Sequence, residues 1–411
     1  MSADYGPIPY PEERALENAG FVRGVTPTRL LAVLLPISPV EVEATVTEGE
    51  PYALIDRFVE RGIAQARLTT TTQLAEFLAL DTVVVSRALR FLRAIGHVEE
   101  LRPGTWEITQ LGLRSLRENQ RYTVTVCDRR KLYFDAFTSR PLTRPYYDSR
   151  TVTLLDEEGA SAVLTRRRGP RYHRLASFHN FDPQALVRLA TDPRRGHFNL
   201  PDQVDEPRVV SMPPMVFLPL YVVRTVGRDG HVEYLVYSQV GDDADDDLAP
   251  LVASSPAPGL LDHELEDGRA GRDEKLAREW LHKRGLDRWK PARTSNDTLQ
   301  VTLPPESFDG DRRVPLTKVG SYAMLGTGFL RLWCTSSEVR RRALLERINS
   351  YLGYRAQAAS ADVQDQVDRI ARQLDLGSID LATLSRTAKE AGNRGLAAQL
   401  ARLSSSATRV G

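Results

Sequence analysis

Histidines 173 and 179 stand in the run RYHRLASFHNFD, where with Asp182 they could surround a divalent metal, because imidazole and carboxylate are its usual ligands. Their spacing matches no ligand pattern, and no metal site is expected there. Asp242, Asp243, Asp245, Asp246 and Asp247 could hold a hard cation, yet the run lacks the glycine and distal glutamate of a calcium loop and reads as a solvated acidic loop. Gly326-Thr327-Gly328 lacks the third glycine and the helix start of a dinucleotide loop, and no GxxxxGK[ST] phosphate loop occurs; the pair reads as a strand bend. Glu233 in VEYLVYSQ lacks the following lysine that nuclease cores carry. The sequence therefore assigns no catalytic residue, no metal and no cofactor.

Contact with nucleic acid is better supported. Ser86, Arg87, Arg90 and Arg93 share the polar side of one expected helix, and arginine to guanine is the commonest direct readout of a base edge. Arg102 sits at the tip of an expected turn. Arg166, Arg167, Arg168, Arg171 and Arg174 form the densest basic run, interrupted by Gly169-Pro170 and Tyr172, and could lie along a phosphate backbone. The formal net charge is only +1, but it is unevenly spread: Arg121 to Arg174 holds twelve Lys or Arg against six Asp or Glu, whereas Asp242 to Asp267 holds nine acids and no Lys or Arg. The first stretch suits a polyanion and the second repels one.

The elements that must position Ser86 to Arg102 are the clearest in the chain. Pro51 falls where a helix accepts proline, and Leu54, Ile55, Phe58, Val59 and Ile63 recur at helical spacing over Tyr52 to Ala66, leaving Asp56, Arg57, Glu60 and Arg61 for water. Thr69 to Thr72 offer N-caps for a short helix, Gln73 to Leu80, with Leu74, Phe77 and Leu78 inward. After a tight turn, Val83 to Ile95 reads as a second helix with Val84, Ala88, Leu89, Leu92 and Ile95 inward, ended by Gly96. His97 to Leu101 and Thr105 to Thr109 alternate as two strands around Arg102-Pro103-Gly104.

This order, with GHVEEL and WEITQLGLRSL in it, resembles the winged-helix repressors of the MarR and ArsR type over about residues 52–116. The resemblance implies a helix docked in the major groove of double-stranded DNA, with the hairpin as a wing. The same fold also serves in protein contacts, and Glu99 and Glu100 on the wing would repel phosphates.

The expected fold class is α+β: an N-terminal winged helix-turn-helix, mixed middle and C-terminal domains, and a helical tail. The expected segments are an arm at 1–50, the winged helix at 51–120, an α+β domain with an Arg-rich surface at 121–241, an acidic linker at 242–272, an α+β segment at 273–355 ending in an amphipathic helix, and helices at 361–405. In that amphipathic helix, Val339 to Leu352, Arg340, Arg341, Arg342 and Arg347 form a basic face. Val363, Val367, Ile370 and Leu374, then Leu381, Leu384 and Ala388, then Leu396 and Leu400 make apolar stripes that need cover, which suggests a homo-oligomer joined through the C-terminal half; the competing reading folds these helices back on their own α+β domain.

No run of about 20 apolar residues occurs, so no membrane contact is expected. Only Cys127 and Cys334 are present, which fits a cytoplasmic protein. The expected function is a DNA-binding transcription regulator that senses a ligand or protein partner. The alternative is a non-catalytic DNA-binding subunit of a defence, replication or chromosome-structuring complex.

Overall fold

The computed structural model describes residues 6–167, 169–177, 179–201, 203–308, 314–355 and 358–407. The protein is α+β. The chain begins with α1 (Glu12–Phe21), β1 (Val25–Glu50), α2 (Leu54–Ala64), α3 (Thr71–Leu78), α4 (Thr82–Ala94), β2 (Val98–Arg102), β3 (Thr105–Ile108), α5 (Gln110–Glu118) and β4 (Arg121–Asp135). Its middle adds α6 (Glu157–Leu164), β5 (Tyr172–Arg174), α7 (Gln184–Thr191), β6 (Gln203–Ser211), β7 (Val216–Gly227) and β8 (Val232–Tyr237). There follow α8 (Ala249–Ala253), α9 (Ala257–Asp267), α10 (Asp273–His282), β9 (Ala292–Arg293), β10 (Leu299–Thr302), β11 (Tyr322–Leu325) and β12 (Gly328–Trp333). The chain then turns helical through α11 (Ser337–Tyr354), α12 (Ser360–Gln373), α13 (Leu381–Glu390) and α14 (Arg394–Ala407). Among the described residues no helix is long and apolar enough to cross a membrane.

Two compact units divide the chain. One takes Ile37–Ser149 with Phe178–Val216; the other takes the chain up to Pro36, Arg150–Ser177 and everything from Phe217 onward. β1 contributes to both, so residues 6–50 are not the arm the sequence suggests. Pro27, Pro36 and Pro39 do not break this strand. A proline removes one ladder donor and is tolerated where that donor has no partner to reach. Pro36 meets the condition, because pairing with β5 ends at Leu34 and pairing with β4 begins at Ile37.

In the unit that begins at Ile37, β1 is flanked by two antiparallel strands, β4 (Ile37↔Asp135 to Glu50↔Arg121) and β6 (Glu41↔Ser211 to Thr47↔Gln203). The alternating segments at 122–126 and 132–135 belong to one strand, β4, whose register against β1 shifts between them. Cys127 absorbs the extra residue with φ 58°, which is how a bulge bends a strand without ending it. α7 lays Ala185, Leu186 and Leu189 over Val40, Val42, Leu132 and Phe134 to make one core. A second core in the same unit, Val59, Ile63, Leu74, Val85, Leu89, Leu92, Val98 and Trp106, holds α2, α3, α4 and the β2–β3 hairpin together.

In the other unit β1 neighbours β7 and pairs in parallel with β5, and β7 forms a hairpin with β8. The expected strand Thr151 to Leu155 is reduced to a single bridge between Leu155 and Phe217. The segment 242–272, expected as an acidic linker, is helical and packed. Its apolar residues Leu248, Leu251, Val252, Ala257, Leu261 and Leu265 are all buried. Several of its acids are engaged by arginines while staying at the surface: Asp242 holds Arg14 and Arg355, Asp243 holds Arg369, Asp262 holds Arg224, and Glu264 holds Arg272.

A four-stranded sheet, β11-β12-β10-β9, backs the tail. Val363, Val367, Ile370, Leu374, Leu381, Leu384, Ala388, Leu396 and Leu400 are buried in one cluster with Leu330, Leu332, Leu344 and Ile348. The stripes that suggested a second copy are covered by the chain itself and offer no dimer contact. Two arginines of the expected basic face of α11 also turn inward. Arg340 donates to the carbonyls of Leu374 and Asp375, and Arg347 donates to Gln373, which places positive charge at the C-terminal end of α12, where the helix dipole favours it.

Candidate nucleic-acid interface

The local chemistry around α3 and α4 explains why they form. Thr70 accepts from the Gln73 amide at 3.3 Å while the Gln73 side chain accepts from the Thr70 amide at 3.2 Å, a reciprocal cap that starts α3. Ala79 then takes a left-handed φ of 52°, which turns the chain at once, and Asp81 starts α4 by accepting from Val83 N at 2.7 Å. Gly96, at φ 76°, ends α4. The hairpin is fixed to the helices by Trp106, whose amide donates to Thr69 O at 2.8 Å and whose ring is buried. The element spans from α2 to β3 all fall within two residues of those the sequence predicts.

The faces differ from expectation on three helices. On α4 the buried residues are Val85, Ala88, Leu89 and Leu92, so Val84 lies on the exposed side and Val83 is 71% exposed. On α3, Phe77 is 65% exposed and Ala75 takes the inward place. On α2 Val59 and Ile63 are buried as expected, but the rest of the face has turned: Asp56 and Glu60 are buried, whereas Leu54, Ile55 and Phe58 are exposed.

The buried acids of α2 are satisfied by residues distant in sequence. Glu60 lies 2.6 Å from His97 Nδ1 and accepts from the Tyr52 hydroxyl. His97 Nε2 faces the carbonyl of Tyr122, and Ser115 Oγ, 3.3 Å from the same nitrogen, accepts from the Tyr122 amide. A carbonyl can only accept, so Nε2 carries a hydrogen. Burial, then Glu60, holds the Tyr52 phenol well above its ordinary range. Ser115, His97 and Glu60 follow the order of a hydrolase triad, but His97 directs its Nε2 hydrogen at a backbone carbonyl and all three residues have no exposed surface. The arrangement is structural: it ties α2, β2 and α5 to β4. Asp56, for its part, lies 3.5 Å from Arg121, whose guanidinium also sits 5.1 Å from the centre of the Phe91 ring.

Outward from this core, Arg87 and Arg90 are exposed on α4, one turn apart, with Ser86 partly exposed beside them. Among the described residues neither arginine pairs with a carboxylate; Arg90 donates only to the Ser86 carbonyl at 3.3 Å. Arg102 is likewise exposed and unpaired at the hairpin tip. Arg93 is not free in this sense, because it donates to Glu100 at 3.0 Å. Glu100 also accepts from Gly104 N at 2.8 Å, so this acid holds the turn and is half-neutralised. Residues 52–118 carry nine arginines against eight acids, but Asp56 and Glu60 are buried, which leaves the exterior more basic than the count suggests.

The second basic run does not form a single stripe. Arg166 is half-buried, Arg167 is exposed, and Arg168 lies outside the described residues. Arg174 pairs with Glu157 and stacks 4.4 Å from the Phe217 ring centre. Tyr172 to Arg174 belong to β5, so the end of the run is sheet rather than a loop free to follow a duplex. Arg171 lines a cavity. Of the residues once considered for a metal, His173 lines the same cavity, and Asp182 accepts from Gln184 N and pairs with Arg188. Among the described residues no three His, Cys, Asp or Glu side chains gather as metal ligands would. No protein-family model, curated protein or solved structure matches this chain.

Proposed function

We propose that residues 51–120 are a winged helix-turn-helix that binds double-stranded DNA with α4 in the major groove, and that the chain is a transcription regulator. The observation that carries this reading is the state of Arg87 and Arg90. Both stand on the solvent side of a helix whose other side is locked into a core, and among the described residues neither has a carboxylate partner, whereas Arg93 of the same helix is held by Glu100. Arginines held this way can form the bidentate contact to guanine O6 and N7 at no cost of breaking an ion pair. Val83 and Val84, exposed at the N-terminal end of α4, suit contact with thymine methyl groups. Sequencing DNA crosslinked to the full chain in cells tests the proposal: enrichment of a shared sequence supports it, and recovery indistinguishable from an untagged control refutes it.

A single module of this size reads few base pairs, so a regulator needs two. With the tail stripes covered, the exposed Leu54, Ile55 and Phe58 of α2 form an apolar cluster on one helix of this module that suits pairing with a second copy. Light scattering should therefore give a dimer for the wild type and a monomer for Phe58→Ser. A wild-type monomer would favour the second reading, in which the same face of α2 docks a different subunit and the chain serves DNA binding within a larger complex.

A further inference from the structure

The unit that contains the tail carries a cleft, open to solvent on the side of Arg171, of about 520 Å³, within the range of about 300–1,000 Å³ common for small-molecule sites. Five separate parts of the chain line it: the start of α1, β1, the β5 region, the α9–α10 segment, and β11 with the turn after it. Its apolar wall includes Leu30, Leu276 and Met324. Its charged groups fall into two sets. Arg272 and Glu264 neutralise each other, and Thr327 donates to Glu264 at 2.5 Å, so these groups are already satisfied. Arg171, His173 and Glu12 also line the cavity, and among the described residues none of the three side chains has a hydrogen bond or ion pair.

We propose that this cavity binds a small zwitterion with an apolar side chain, a free amino acid or a short peptide, whose carboxylate meets Arg171 and His173 and whose ammonium meets Glu12. The chemistry follows from what each group lacks. An unpaired arginine fork takes a carboxylate in two parallel hydrogen bonds. A carboxyl removed from water without a partner is costly when ionised, and burial, with Glu13 adding to it, has raised Glu12 to about 7. An incoming ammonium removes that cost and turns the strain at Glu12 into affinity. Leu30, Leu276 and Met324 then receive the side chain. An anion alone would leave Glu12 unpaired and repelled, and a cation alone would do the same to Arg171. This inference stands whether or not α4 binds DNA.

Titration calorimetry on the full chain tests it, with L-leucine, L-methionine and L-phenylalanine, their dipeptides, the matching amines that lack a carboxylate, and the matching acids that lack an amine. Saturable binding is expected for at least one compound carrying both charges, and removing either charge should weaken it by about tenfold to a hundredfold. Arg171→Ala and Glu12→Gln should each reproduce that loss, and circular dichroism melts establish that both variants are folded. Whether the amino acid or the dipeptide binds tighter identifies the source of the zwitterion. The proposal fails if no compound binds, if the deaminated acids bind as well as the zwitterions, or if binding is indifferent to both substitutions in folded protein.

Discussion

Replacing both Arg87 and Arg90 with alanine is expected to weaken specific binding to the recovered duplex by about 2–6 kcal/mol, since each lost bidentate base contact costs about 1–3 kcal/mol. The measurement is fluorescence anisotropy at one fixed salt concentration, because affinity for a polyanion has no meaning without it. Neither side chain has a structural partner beyond the Ser86 carbonyl, so the helix should survive the change, and an unaltered circular dichroism spectrum verifies this. Arg102→Ala on the wing provides the contrast. A residue that meets only phosphate should lower affinity for all duplexes alike and reduce the salt slope by about one. If the double variant binds its duplex as tightly as the wild type, α4 is not the reading helix.

Glu60→Ala should cost about 3–5 kcal/mol, the usual penalty for leaving one member of a fully buried polar pair without its partner. The effect should be regional. Hydrogen exchange of amides in α2 to α5 should quicken by roughly a hundredfold to several thousandfold, while amides under α7, in a separate core, change less. Glu60→Gln separates two states of the pair. A glutamine amide can donate to a neutral His97 Nδ1 and keep most of the stability, but it cannot balance a protonated imidazole. A mild Glu60→Gln phenotype therefore identifies a neutral hydrogen-bonded pair, and a severe one an ion pair. Exchange rates unchanged in Glu60→Ala would show that the network contributes nothing.

That network also shows where reading the sequence succeeds and where it stops. Caps, turns and the hairpin depend on residues within a few positions of one another, as Thr70 with Gln73 and Asp81 with Val83 do, and these were legible. The face of α2 was not. Apolar spacing puts Leu54, Ile55 and Phe58 inside, but the partners that let Asp56 and Glu60 go inside instead lie at Arg121 and His97, and local spacing carries no trace of them. The tail shows the same limit in another form. Its apolar stripes were read correctly and all are buried, yet a stripe does not say what covers it. The acidic segment was misread because its charge outweighed Leu248, Leu251 and Leu261, and only the structure supplies the arginines that neutralise it. The cavity was beyond reach, since Glu12, Arg171 and Met324 meet only after the chain has returned three times.

The shared strand sets an order of events during synthesis. β1 emerges early, but the described partners of its first half, β5 and β7, are made only after about 120 and 170 further residues have left the ribosome. Until then Leu30 to Leu35, an unbroken apolar run of high β-propensity with no charge, has no native edge to pair with and is the kind of segment that pairs with other nascent chains instead. The part of the chain around α4 faces no such delay, because its core draws only on residues 59–108 and can close while β7 is still untranslated. A cell making this protein must therefore shelter one short strand, rather than a whole domain, for a little under half of the time translation takes.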